Sequence, residues 1–128
     1  MTQPLEVELP RERICTALAR RLVEQQFGHA LDPAMLQDLK LVVSELVDNA
    51  YVHGEGRIQV RLEQRAETML IEVMDEGEGA SVKIRKLGVR GGGHGLRLVD
   101  HLCSTWGSRA GATHVWAEMA VARPHGSI

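Results

Sequence analysis

The chain is short of cysteine, aromatics, net charge and long apolar runs, and each shortage closes a class of function. Its two cysteines, Cys15 and Cys103, fall in segments that read as helices. With no signal peptide ahead of them they are expected to be buried, reduced thiols of a cytoplasmic protein rather than a disulfide. The six histidines, at 29, 53, 94, 101, 114 and 125, show no zinc-type spacing with those cysteines, which argues against a structural metal. Basic and acidic residues, 15 and 17 of them, leave a formal charge of −2 and are mixed along the chain. There is no electrostatic footprint for nucleic acid or an anionic membrane. Aromatics are only 3% of residues, and Trp106 and Trp116, lacking a basic track beside them, read as core or sheet residues rather than a base-stacking platform. No apolar run approaches the roughly 18 residues of a membrane-spanning helix. The segment Leu41 to Ala50 is already broken by Ser44, Glu45, Asp48 and Asn49. What is left is one soluble domain over 1–128, without repeats or linkers, long enough to bury about two-thirds of its unfolded surface.

Hydropathy patterning places the elements. Leu5, Val7 and Leu9 alternate with Glu6 and Glu8 as in a half-buried strand ended by Pro10. Ile14, Leu18, Leu22 and Val23 recur at helical spacing between Arg11 and about Phe27, with Gly28 placed to stop that helix. Asp32 and Pro33 form an N-cap and first-turn proline for a second helix. Its stripe is Leu36, Leu39, Val43, Leu46, Val47 and Ala50, ending near Gly54. Ile58, Val60 and Leu62 begin a hairpin that turns near Arg65 to Thr68 and returns through Met69 to Met74. A glycine-rich, basic stretch follows and is expected to be a mobile loop. A third helix is predicted from near His94, with Leu96, Val99, Leu102 and Cys103 inward, before a last hairpin of Thr105 to Ser108 and Thr113 to Ala122 turning at Gly111.

Three segments carry chemistry. On the second helix Glu45 and Asn49 are four residues apart and share a face, which His53 continues. An Asn carbonyl oxygen suits the octahedral shell of magnesium, and a carboxylate beside it can accept a hydroxyl proton in phosphoryl transfer. Taken alone, the helix is better accounted for by a solvated polar face. Asp75-Glu76-Gly77-Glu78-Gly79 ends an apolar strand, where a carboxylate can accept a hydrogen bond from an exocyclic amine while the glycines let the backbone turn beside a flat ligand. An ordinary turn is the alternative. Gly91, Gly92, Gly93, His94, Gly95 and Leu96 open the third helix, so free N–H groups and the helix dipole can cradle phosphate, or the run is simply a flexible loop. A Walker loop is excluded, since neither Lys83 nor Lys86 has the required glycine before it and hydroxyl after it. The dinucleotide fingerprint fails as well, because Val82 stands where its third glycine would fall.

The segments Val43 to Gly54, Val73 to Gly79 and Gly93 to Val99 together resemble the N, G1 and G2 boxes of the GHKL ATPase superfamily. The similarity is greatest to its single-domain anti-sigma-factor serine/threonine kinases, and it extends to Trp106-Gly107 and Gly111 to Trp116. The resemblance implies an α+β fold of the Bergerat type, a two-layer sandwich with a mixed, mostly antiparallel sheet on about three helices and a mobile ATP lid over 80–93. It implies ATP and Mg2+ as cofactors, with Asn49 on the magnesium, Glu45 as base toward the substrate hydroxyl and Asp75 on the adenine amine. Gly77 and Gly79 then shape the adenine pocket, and Gly91, Gly92, Gly93, His94, Gly95 and Leu96 lie at the phosphates.

Two positions depart from the family pattern. His94 stands where an Arg is common, and Asp48 where a small hydroxyl residue is frequent; both place different charge near phosphate. The function implied is an anti-sigma factor that sequesters a sigma factor and phosphorylates a small antagonist protein, possessing no nucleic-acid or membrane partner and forming a homodimer through its first strand and helix. The alternatives are a nucleotide-binding interaction switch of weak or no catalysis, and a histidine-kinase-type catalytic domain.

Overall fold

Alternation along five short segments builds one antiparallel sheet. The computed structural model describes residues 3–77, 93–109 and 114–121. The strands are β1 (Leu5–Leu9), β2 (Ile58–Gln64), β3 (Thr68–Met74), β4 (Thr105–Arg109) and β5 (His114–Ala120), in the spatial order β1-β2-β3-β5-β4. Every pairing among them is antiparallel, in keeping with the expected mostly antiparallel sheet. The register aligns Leu5, Leu62, Ile71, Ala117 and Trp106 in one row across all five strands. Leu62, Ile71 and Ala117 of this row are fully buried, so it marks the face that meets the helices. The neighbouring row, Glu6, Arg61, Glu72, Trp116 and Gly107, points to the other face, because successive strand residues alternate sides.

That outer face is wet and charged, as one face of an antiparallel sheet can be. Arg61 pairs with Glu6 at 2.8 Å, Glu63 at 3.0 Å and Glu72 at 3.4 Å. His114 meets Glu72 at 2.8 Å, and the Arg109 guanidinium lies 5.7 Å from the centre of the Trp116 ring. Gly107 makes room for that ring, since a Cβ there would sit 3.1 Å from it.

Three helices among the described residues cover the inner face: α1 (Cys15–Phe27), α2 (Pro33–His53) and α3 (Gly93–Leu102). The best signalled of them is α2. Asp32 caps it by accepting a hydrogen bond from Met35 N at 2.8 Å, Pro33 occupies its first turn, and Leu39, Val42, Val43, Leu46 and Val47 bury its inward face. Asp32→Ala is therefore expected to cost about 1 kcal/mol, read as a lower urea midpoint at unchanged slope. Ser44 is buried within the stripe, and its hydroxyl donates to Lys40 O at 2.7 Å, which satisfies it in the core.

The first helix begins at Cys15, not near Arg11. Ile14 stands at its N-cap without a side-chain acceptor, and Arg11 to Ile14 turn rather than coil. Lys40 of α2 pairs with Glu24 of α1 at 2.6 Å. Cys15 and Cys103 are buried and free, and burial, with the charge of Asp100 as a smaller cause, pushes the Cys103 thiol up to about 12. Such a thiol is unreactive near neutrality, in line with packing as its role. No helix among the described residues is long and apolar enough to cross a membrane.

Candidate functional site

The site grows from the side of α2 that does not enter the core. Glu45 and Asn49, one turn apart, are both half-buried there, while Leu46, Val47 and Ala50 point inward. Partial burial raises the Glu45 carboxyl above its ordinary value, and the negative charge of Asp48 raises it further. Such a shift improves a carboxylate as a proton acceptor at neutral pH. Asp48 itself accepts a hydrogen bond from the Thr16 hydroxyl of α1. Only the packing of α1 on α2 reveals Thr16 as its partner.

Asp75 follows β3 directly and is brought to the C-terminal end of α2. Its Oδ1 accepts from Gly77 N at 2.7 Å and, more weakly, from Glu55 N at 3.4 Å. Its Oδ2 lies against Gly54, where a Cβ would stand 2.4 Å from it. Only a residue without a side chain admits the carboxylate in this position. Gly54 has a negative φ of −92°, so the requirement there is space and not backbone conformation. At Gly56 the requirement is conformational, since φ is +69°. The adjoining backbone is fixed by Glu76, whose N donates to Glu55 O at 2.8 Å and whose Oε1 accepts from Arg57 N at 2.9 Å.

The third element, α3, begins at Gly93, one residue before the expected start. The first N–H groups of any α-helix lack intrahelical partners, and in α3 these belong to Gly93 to Leu96. Val99 and Cys103 bury the inner side of this region, and Trp106 Nε1 donates to Asp100 Oδ1 at 3.0 Å, fastening α3 to β4. Gly79, Gly91 and Gly92, with the rest of the expected lid up to residue 92, lie outside the described residues, as do the side chains of His94 and Leu96.

Packing brings these three segments around one helix. Against α2 lie both β3, which delivers Asp75, and α3, which carries the glycine run at its start. From Glu45 to Gly54, beside Asp75, is nine residues, or about 13 Å along the axis.

Comparison with known proteins agrees with this arrangement. Residues 35–126 match the family model for histidine kinase-, DNA gyrase B- and HSP90-like ATPases. The chain belongs to this ATPase family. A curated relative is the sensor histidine kinase component HK1 of Mycobacterium tuberculosis, 31% identical over an alignment of 97 residues that covers 66% of this chain and 56% of that protein. The chain therefore spans little more than half the length of this curated relative. Among solved structures, the RsbU and RsbW domains of a Mycobacterium tuberculosis protein superpose with a TM-score of 0.69 at 21% identity, covering 94% of this chain and 32% of that one. This second likeness shows the shared fold.

An ATPase of this family needs a place for adenine and for a metal, and the residues present fit both. Asp75 spends Oδ1 on backbone donors, while Oδ2 has no hydrogen-bond partner among the described residues and is left for a ligand amine. No group of three or more His, Cys, Asp or Glu among the described residues could hold a metal. Magnesium does not require one, since it keeps waters and phosphate oxygens and takes few protein ligands, for which a single Asn oxygen suffices. Sequence reasoning named Glu45, Asn49, Asp75 and Gly77 but missed the wall formed by Gly54, Glu55, Gly56 and Glu76. The signal was present, since Gly54 closes both the second helix and the first of the three boxes, but neither pattern encodes its openness toward Asp75.

Proposed function

We propose that the chain is an ATP-dependent protein serine/threonine kinase that acts as an anti-sigma factor, phosphorylating a small antagonist protein and sequestering a sigma factor. The observation that carries the kinase reading is Glu45, a half-buried carboxyl with a raised pKa on the same face of α2 as Asn49. Glu45 takes the proton from the acceptor hydroxyl, Asn49 holds Mg2+, and Asp75 with Gly77 and Gly79 selects adenine. Gly91, Gly92, Gly93, His94, Gly95 and Leu96 surround the phosphates. ATP supplies the transferable phosphoryl group, and Mg2+ neutralises its charge. This chain's own part is to position the two reactants and to supply the base and fixed donors.

The regulatory half of the reading rests on the resemblance of the three boxes to anti-sigma-factor kinases. A homodimer through β1 and α1 is supported by two features: β1 is an edge strand of the sheet, and Ile14, at the start of α1, is 53% exposed. The protein would work in the cytoplasm, where its partners are.

Incubation with Mg-ATP and a candidate antagonist is expected to yield an acid-stable phosphoserine or phosphothreonine on the antagonist. ATP bound without any phosphoprotein would instead establish the interaction switch. The 31% identity to a sensor histidine kinase component favours one further reading, a catalytic domain that phosphorylates histidine. An acid-labile product would establish that reading in place of the first.

A further inference from the structure

We propose that Arg11 is a positioning residue for recognition of the nucleotide base, acting through the Gly54–Arg57 connection on the carboxylate of Asp75. The inference rests on the reading of Asp75 as acceptor for the adenine amine. Arg11 stands two residues beyond β1 and 64 positions from Asp75 in sequence, yet it grips the backbone on which that carboxylate leans. Its Nη1 donates to Tyr51 O at 2.7 Å and its Nε donates to Gly56 O at 2.7 Å. Tyr51 lies in the last turn of α2, whose carbonyls have no intrahelical partner and form the negative end of the helix dipole. Gly56 is the left-handed residue of the connection. One planar guanidinium thus ties the end of α2 to the connection with two donors held in a fixed fork, which an ammonium cannot reproduce.

The opposite side of the connection is bonded to the exit of β3. Glu76 N donates to Glu55 O at 2.8 Å, Arg57 N donates to Glu76 Oε1 at 2.9 Å, and Glu55 N donates to Asp75 Oδ1 at 3.4 Å. Arg11 therefore holds, at Gly56, the connection whose Gly54 and Glu55 meet Asp75 and whose Arg57 meets Glu76. If the connection shifts, the Glu55 donor and the open space at Gly54 shift with it, and the acceptor of Asp75 is re-aimed. Its Nη2 is buried without a hydrogen-bond partner among the described residues, so the two bonds to Tyr51 O and Gly56 O are what hold the guanidinium in place.

The test compares Mg-ATP with Mg-inosine triphosphate by titration calorimetry on the whole chain. The two ligands share their phosphates, but inosine has an oxygen in place of the adenine amine. Wild type is expected to prefer ATP by roughly tenfold or more, the range of a hydrogen bond to a charged group. Arg11→Met is expected to shrink that ratio at least about threefold by weakening ATP alone, and Arg11→Lys to fall between the two. A general lesion in the fold lowers both affinities by the same factor and overturns the proposal. A wild type without preference would sink the reading of Asp75 itself, whereas an unchanged preference in Arg11→Met removes only the role of Arg11. Should Arg11→Met fail to fold by circular dichroism, Arg11→Lys decides the matter, and a wild-type ratio in it overturns the proposal.

Discussion

Glu45→Gln is expected to lower phosphoryl transfer by roughly 10²- to 10⁴-fold, the range lost with a general base, while raising thermal stability at neutral pH. The two effects have one cause. Burial first and Asp48 second raise the pKa of Glu45 in the folded protein, so folding disfavours its ionised form. For a group whose folded pKa lies above the unfolded one, the stabilising contribution is present below the unfolded pKa and is lost as pH rises through the folded pKa. At pH 7 the wild type therefore carries a penalty that a neutral isostere removes. Melting curves of the two proteins should separate at pH 7, with Glu45→Gln higher, and converge as pH falls below the ordinary glutamate value of about 4.3, where the unfolded chain is protonated as well. The affinity for Mg-ATP should be unchanged, since in the mechanism proposed above Glu45 acts on the acceptor hydroxyl and not on the nucleotide. A variant that transfers phosphate at the wild-type rate would remove Glu45 from the chemistry.

Asp75→Asn is expected to weaken ATP binding by roughly 10- to 150-fold, the equivalent of about 1.5–3 kcal/mol for a hydrogen bond to a charged group. The carboxylate uses its two oxygens differently: Oδ1 accepts from Gly77 N and Glu55 N, and Oδ2 lies against Gly54 without a hydrogen-bond partner among the described residues. An amide has only one acceptor oxygen. If that oxygen stays on the backbone donors, the NH₂ meets the adenine amine, donor against donor. If the amide flips, the NH₂ opposes the two backbone N–H groups, and the loss appears as lowered stability as well. Gly54→Ala should shift affinity in the same direction, because its Cβ would stand 2.4 Å from Oδ2 and 2.7 Å from Ala50 O. Calorimetric titration reads both variants, and an unaltered Kd in Asp75→Asn would show that adenine is not bound there.

Much of the fold was legible because its elements are locally consistent. The Asp32 cap, Pro33 and the apolar stripe of α2 state one helix three times over, and the alternation in β1 to β3 sets which face is buried. The start of α1 was misplaced because helical spacing runs on through Arg11 to Ile14, where no side chain caps the helix and Arg11 is engaged elsewhere. The partner of Asp48 was not legible in the sequence. Its hydrogen bond to Thr16, 32 residues away, depends on how two helices pack, which no local pattern encodes.

By itself the sequence determined the periodic elements, the polar face bearing Glu45 and Asn49, and the order of the three segments, since each depends on neighbours within a turn or a strand. Only the tertiary structure decided what stands around them. The openness of Gly54 toward Asp75, the grip of Arg11 on Tyr51 and Gly56, and the raised pKa of Glu45 all arise between groups distant in sequence or from burial. Hydrogen bonding, desolvation and steric exclusion act across the few ångströms that separate packed elements, and those distances exist only after the sheet and helices have closed on one another.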